Sequence, residues 1–461
     1  MDVSKNSAPM SAHRSVAVAA TTDYRAILKQ AMQFHQAGDL DTAERLYREV
    51  LELRAAQPDA MHYLGVLCHQ RGRSDEGVRL IEASLKITPK HPDAHNNLGN
   101  IHKECGRFAD AERCYRKALA CGPKHYNAQN NLAVVLEAQE RLDEAFEAYA
   151  KLLQQAPKFA QGHYLMGSFL RNNAQSVEHV EQSVECFRTA YALDPRNLSA
   201  LEALGVSLYA LQRCEEAAQV YRDWLEREPD HPVARHMLAA CGGAQAPSRA
   251  DDAYVRDVFD KFADSFDEQL LKNLSYRAPQ ILTAALSEVL PGAAGGLDIL
   301  DAGCGTGLCA PLLRPYAKHL VGVDLSGGMI EKARLRGGYD ELEVAELTRY
   351  LQTHPNSYDV VLSADTLVYF GELQDVLHAA HSALRPDGWL AFSLEAAQGD
   401  DDRVDLSPSG RYQHTRQYVE RVMKAAGFTD VRVGTDTLRK ENGQPVRGWV
   451  VLARRLSRSA K

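Results

Sequence analysis

The chain has 461 residues, 45% hydrophobic and 25% charged, enough for two or three domains with proper cores. A formal charge of −8 gives no general footprint for nucleic acid or an anionic membrane, and no apolar run is long enough for a membrane-spanning helix. The nine cysteines include no Cys-x-x-Cys pair, so they offer no zinc-ligand spacing and point to buried free thiols, no metal, and a reducing, cytoplasmic setting.

Residues 1–23 are small, polar and aperiodic, as in a disordered leader. From Tyr24 the chain repeats with a period of 34 residues. One column holds Gly65, Gly99, Ala133, Gly167 and Gly205, and another Ala43, Gly77, Ala111, Ala145 and Ala217. A third holds Tyr47, Ile81, Tyr115, Tyr149, Phe187 and Tyr221, followed by Pro89, Pro123, Pro157, Pro195 and Pro229. Small residues let two antiparallel helices approach, large ones fill the gap, and proline ends the second helix. The pattern resembles the tetratricopeptide repeat (TPR), which implies an all-α solenoid over 24–241, about six repeats plus a capping helix at Val233–Ala240. The fifth unit carries four extra residues in the Asn172–Gln182 stretch, and the first has Ala55 where proline is usual.

Two repeats, His95-Asn96-Asn97 and Gln129-Asn130-Asn131, resemble those of O-linked N-acetylglucosamine transferase. That resemblance implies that Asn97 and Asn131 grip a peptide backbone, so that the expected partner is a protein or peptide in the groove. The alternative is asparagines that only cap or solvate the groove.

Residues 242–250 are rich in small side chains and read as a linker, with a second domain over 251–456 and a tail over 457–461. Val258, Phe259, Phe262 and Phe266 recur at helical spacing, so a helix opens the domain, with Phe259 and Phe262 expected in its core. Then the apolar run Ile299-Leu300 ends in Asp301, followed by Gly303, Gly305 and Gly307 and a short helical segment. Strand, glycine turn and helix open a doubly wound α/β sheet whose ligand lies at the carboxyl ends of the strands. Leu308 breaks the dinucleotide fingerprint, and no Lys-Ser/Thr follows for a phosphate loop. A second acid, Asp324, ends the next apolar run, where a carboxylate can accept from both hydroxyls of a ribose.

The spacing Asp301-x-Gly303-x-Gly305-x-Gly307 resembles the first motif of class I S-adenosylmethionine (SAM) methyltransferases. The resemblance implies a Rossmann-like, seven-stranded α/β domain with SAM as cofactor. Asp301, Gly303, Cys304, Gly305 and Gly307 would hold its methionine end and Asp324 its ribose. Leu325, Met329, Glu346 and Leu347 would lie near its adenine, with glutamate at 346 where many members have aspartate. Asp365 would lie at the end of the fourth strand, and Tyr276-Arg277 would pair with the SAM carboxylate or form a surface salt bridge.

Downstream, Leu384-Arg385-Pro386-Asp387-Gly388 resembles the family's turn into the fifth strand, and Asn442-Gly443 signals a hairpin. Asp365, Tyr369, Tyr412 and His414 are the candidates for positioning the acceptor or removing its proton. A core role for Tyr369 and a loop position for His414 stand as alternatives. Taken whole, the chain resembles bacterial-type predicted methyltransferases carrying TPRs. The expected activity is methyl transfer to an acceptor recruited by the repeats, a protein or peptide being slightly favoured. The alternatives are a small-molecule, sugar or carrier-bound acceptor, and a non-catalytic interaction scaffold.

Overall fold

The computed structural model describes residues 23–456 other than Pro291, Ala293, Ala294, Asn442 and Gly443, and the side chains of Lys272 and Asn273 also fall outside it. The leader, the tail and the Asn442-Gly443 hairpin signal therefore lie outside the described residues. The chain divides into two compact units, Met1–Phe169 and Leu170–Lys461.

The first unit is a stack of helix pairs: Tyr24–Gln36 with Leu40–Leu53, Pro58–Gln70 with Ser74–Ile87, Pro92–Glu104 with Phe108–Cys121, and Tyr126–Ala138 with Leu142–Gln155. Packing explains the columns. A Cβ added at Gly99 would stand 2.5 Å from the Tyr115 ring, so the glycine is the space into which the aromatic fits. Helix starts obey a rule that the repeat columns do not reveal. The Gln57, His91 and His125 side chains each accept from the backbone N–H three residues on, satisfying a donor that the helix leaves open.

The amide nitrogens of the two asparagines bond inside this stack. Asn97 Nδ2 donates to His62 Nε2 at 2.9 Å, and Asn131 Nδ2 donates to Asn96 Oδ1 and Asn100 Oδ1, both at 3.0 Å. Both residues are half-buried, and their amide donors link one repeat to the next.

Ala160–Asn172 is the first helix of the fifth repeat, and the second unit holds the helices of the array that follow it: Val177–Leu193, Leu198–Ala210, Cys214–Leu225 and Pro232–Ala240. Of the four extra residues in the fifth repeat, three lengthen its second helix, which has 17 residues against 14 in the four preceding repeats. A Cβ at Gly205 would meet Tyr221 at 2.6 Å, the same small-against-aromatic fit. The unit boundary does not fall in the 242–250 segment. The Pro232–Ala240 helix packs on residues beyond that segment: His236 stacks on Tyr254 with centroids 4.0 Å apart, and its Nε2 bonds Gly410 O at 2.8 Å.

Among the described residues nine strands form one sheet. They are β1 Leu297–Ala302, β2 Ala317–Asp324, β3 Glu341–Val344, β4 Tyr358–Ser363, β5 Leu384–Ala396, β6 Val404–Leu406, β7 Tyr412–His414, β8 Thr429–Glu441 and β9 Gln444–Arg454. β3-β2-β1-β4-β5 run parallel, and β9 then pairs antiparallel with both β5 and β8. These seven match the expected count. The β6–β7 hairpin is additional: β7 joins the far end of β5 at Glu395↔Gln413 and Ala396↔His414, in a stretch whose acids conceal any strand pattern. The apolar faces of β1, β2, β4 and β5 are buried on both sides, as expected of parallel strands. The helix expected after the glycine turn has a single turn, Ala310–Leu313.

Candidate active site

The carboxyl ends of β1, β2 and β4 open onto one cavity, with about 1150 Å³ of space free of protein atoms once the open solvent at its mouth is included. Asp324 stands at the end of β2, in the wall of this cavity. Its Oδ2 accepts from Gly305 N and its Oδ1 from Ser326 N, both at 2.9 Å, so the carboxylate is fixed against the glycine loop. Burial raises its pKa. Ser326 also caps the Gly327–Arg336 helix through Met329 N, and Asp260 on the Asp252–Phe262 helix accepts from Ser326 Oγ at 2.5 Å. The opening helix of the domain is thereby tied to the loop it covers.

The glycine loop needs left-handed backbone, and at Gly303 it leaves no room for a side chain. Gly303 has φ +80°, and a Cβ there would lie 2.0 Å from Thr366 Oγ1. Gly305 has φ +53° and faces the Phe266 ring. Asp301 lies behind the loop, fully buried, and does not line the cavity. Tyr339 OH donates to its Oδ2 at 2.6 Å, while Oδ1 has no hydrogen-bond partner. Burial drives its pKa up to about 7. An ionised Asp301 therefore weakens the fold above pH 7, and the cost fades as pH falls from 7 towards the unfolded value near 4. Asp301→Asn is expected to stabilise the ligand-free protein at pH 8 by on the order of 2–4 kcal/mol. The gain should shrink by pH 5, as read from paired melting curves; a pH-independent difference would remove the carboxylate as the cause.

Of the expected cofactor residues, Gly303, Cys304, Gly305, Asp324, Leu325, Met329, Glu346, Leu347, Asp365 and Tyr276 line the cavity. Gly307 does not, because it turns towards the Tyr339 ring. Arg277 is an exception with a clear cause. It is the residue before the Ala278–Val289 helix, its backbone N–H donates to Leu438 O at 2.9 Å, and its side chain is exposed. The guanidinium groups that do line the cavity are Arg249, Arg411 and Arg439, from three distant parts of the chain. Arg439 is buried and reaches Asp365 at 2.9 Å, Glu441 at 2.9 Å and Glu395. Arg411 bonds Glu441 at 2.6 Å. Asp365 is thus held from behind, at φ +56°, with its Oδ1 unpartnered.

The other acceptor candidates separate. Tyr369 lines the cavity and meets Phe259 edge-on. Tyr412 is buried outside it, its OH donating to Pro247 O at 2.7 Å. His414 is fully buried in β7, with Nε2 bonded to Gly371 O at 3.1 Å, and burial lowers its pKa to about 4. Neither reaches the cavity, because the β6–β7 pairing turns both side chains into the core. Phe259, expected in the core, lines the cavity with Phe266, and Phe262, also expected in the core, is 47% exposed. Among the described residues no group of ligating side chains could hold a metal, and no helix is long and apolar enough to cross a membrane. Of the nine free cysteines, Cys68, Cys114, Cys304 and Cys309 are buried and Cys105 is exposed, so burial holds for only part of the set.

A methyltransferase-domain family model matches residues 300–392, and tetratricopeptide-repeat models match 34–101, 96–158 and 172–232. The chain is a TPR array followed by a class I SAM methyltransferase domain. It is 38% identical over 119 residues to human methyltransferase-like protein 27, covering 25% of this chain and 48% of that protein. It is 29% identical over 131 residues to the ubiquinone biosynthesis O-methyltransferase of Hydrogenovibrio crunogenus, covering 26% of this chain and 54% of that one. A solved SAM-dependent methyltransferase from Mesorhizobium loti is 25% identical, with a TM-score of 0.31, covering 37% of this chain and 96% of that chain. The chain spans about half the length of the two curated relatives named here.

Proposed function

We propose that the protein transfers the methyl group of SAM to a protic acceptor, with the repeats recruiting the acceptor or the partner that carries it. The observation that carries the reading is Asp324, fixed by Gly305 N and Ser326 N in the wall of a cavity whose floor is a glycine loop too tight for any Cβ at Gly303. The donor set fits SAM: a carboxylate for ribose hydroxyls, a close backbone for the methionine end, and apolar Leu325, Met329 and Leu347 beside a nucleobase. When bound, SAM supplies a methyl group already activated on a sulfonium. The chain's task is alignment and exclusion of water, and alignment supplies about 7–11 kcal/mol in well-oriented reactions. Phe259, Phe266 and Tyr369 wall the acceptor side. Asp365, which lines the cavity and is fixed by Arg439, is the residue placed to take the acceptor's proton when the nucleophile must lose one.

For the acceptor, internal use of the Asn97 and Asn131 amides removes the main support for a peptide-gripping ladder. The aromatic wall of Phe259, Phe266 and Tyr369 suits a small or carrier-bound acceptor, which becomes the favoured reading over a protein side chain. Transfer of labelled methyl from SAM into fractionated lysate tests it. Label in the small-molecule or carrier fraction supports it, and label confined to protein bands restores the peptide acceptor. No label despite demonstrated SAM binding would favour a scaffold.

A further inference from the structure

The 242–250 segment ends as a strap rather than a tether. Ala250 N donates to Tyr369 O at 2.8 Å, Glu372 N to Ser248 O at 2.7 Å, and Tyr412 OH to Pro247 O at 2.7 Å. Arg249 forms an antiparallel bridge with Phe370. The approach is close: a Cβ on Gly371 would stand 2.9 Å from Ser248 O. The strap lies beside the cavity, since Arg249, Ala250 and Asp252 line it together with Asp324, Glu346 and Leu347.

The guanidinium of Arg249 forks. One arm reaches Glu346 Oε1 at 2.8 Å and the other Asp252 Oδ1 at 2.5 Å, with the group lying over the Phe370 ring. Glu346 also begins the Leu347–Thr353 helix: Oε1 accepts from Thr348 N at 3.0 Å and Oε2 from Arg349 N at 2.8 Å. Burial would raise this acid, yet the two N–H bonds and the Arg249 charge hold its pKa below the ordinary value. Glutamate has one more methylene than the aspartate expected here, and one more torsion to fix. Arg249 supplies the additional tether.

We propose that residues 247–250 form a wall of the cofactor pocket, and that Arg249 is a positioning residue acting through Glu346 on the amine edge of the bound nucleobase. The inference rests on the SAM reading above. Arg249 fixes the Glu346 carboxylate in the orientation in which it accepts from that amine. A segment outside the matched methyltransferase region, 300–392, then contributes to cofactor selection.

The test uses the full chain and two probes, S-adenosylhomocysteine and its inosine analogue, which lacks the exocyclic amine. Calorimetry would compare wild type, Arg249→Met, Arg249→Lys and Glu346→Gln. Arg249→Met keeps the stem over Phe370 and removes the fork. It is expected to weaken the adenosine probe about tenfold, a single charge-assisted contact, and to leave the inosine probe nearly unchanged. Arg249→Lys should fall between, and adding Arg249→Met to Glu346→Gln should cost little more. Equal weakening of both probes would show only a structural strap and overturn the positioning role. Unchanged affinity for the adenosine probe would overturn the wall as well. Wild type that binds neither probe would instead overturn the SAM reading on which the inference depends.

Discussion

Asp324→Ala is expected to abolish the rise in Tm that SAM or S-adenosylhomocysteine produces. Wild type at ligand concentrations near 100 times Kd should gain about 2.7 kcal/mol of stability. Alanine removes two charge-assisted acceptors for ribose hydroxyls, each worth about 1.5–3 kcal/mol, and raises Kd by at least about a hundredfold. It also leaves Gly305 N and Ser326 N without the partner that fixes the loop. pH gives a second signature. Burial raises the Asp324 pKa, so wild-type affinity should begin to fall at a higher pH than an exposed aspartate would allow. The alanine variant should lack that dependence, and an equal Tm shift in wild type and variant would take the ribose away from Asp324.

Truncation should have the second large effect. Deleting residues 1–245 removes the Pro232–Ala240 helix and with it the stack of His236 on Tyr254 and the bond to Gly410 O. Tyr254 is buried against Met237 and Gly410, so its loss of cover resembles a large-to-small core substitution, about 3–5 kcal/mol. In a domain of this size that corresponds to a Tm lower by roughly 6–20 °C. Deleting only residues 1–159 leaves every one of those contacts in place. The shorter deletion should keep both its melting transition and its ligand-induced shift. Matching melting curves for the two truncations would show that the last repeat and the second domain are independent.

The repeats were legible because a 34-residue period places the same packing problem at the same residue types again and again. Gly99 against Tyr115 and Gly205 against Tyr221 are the physical content of two sequence columns. The glycine loop and Asp324 were legible for a related reason: tight backbone and a strand-end carboxylate leave few alternatives at that spacing. Functional side chains carried by irregular segments were harder to place. Arg277 was assigned by its neighbours in sequence, yet its side chain is exposed outside the cavity that Tyr276 lines. Arg249, Arg411 and Arg439 converge from distant segments, and only the sheet brings them together. Tyr412 and His414 lie on a three-residue strand too short to show an alternating pattern, so nothing in the sequence revealed that both side chains face inward. Asn97 and Asn131 looked available because their partners, His62, Asn96 and Asn100, lie one repeat away in sequence.

The β6–β7 hairpin has a kinetic consequence. It hangs on β5 by two residue pairs, while β5 itself is held along its length by β4 and β9. Backbone amides of β5 should therefore be among the last in the second unit to exchange with deuterated solvent. Those of the hairpin should exchange much earlier, through a local opening rather than global unfolding. Tyr412 binds Pro247 O, His414 binds Gly371 O and His236 binds Gly410 O, so this opening cannot involve the hairpin alone. Hairpin, strap and final repeat helix should take up deuterium at one common rate, and a ligand that closes the cavity should slow all three together.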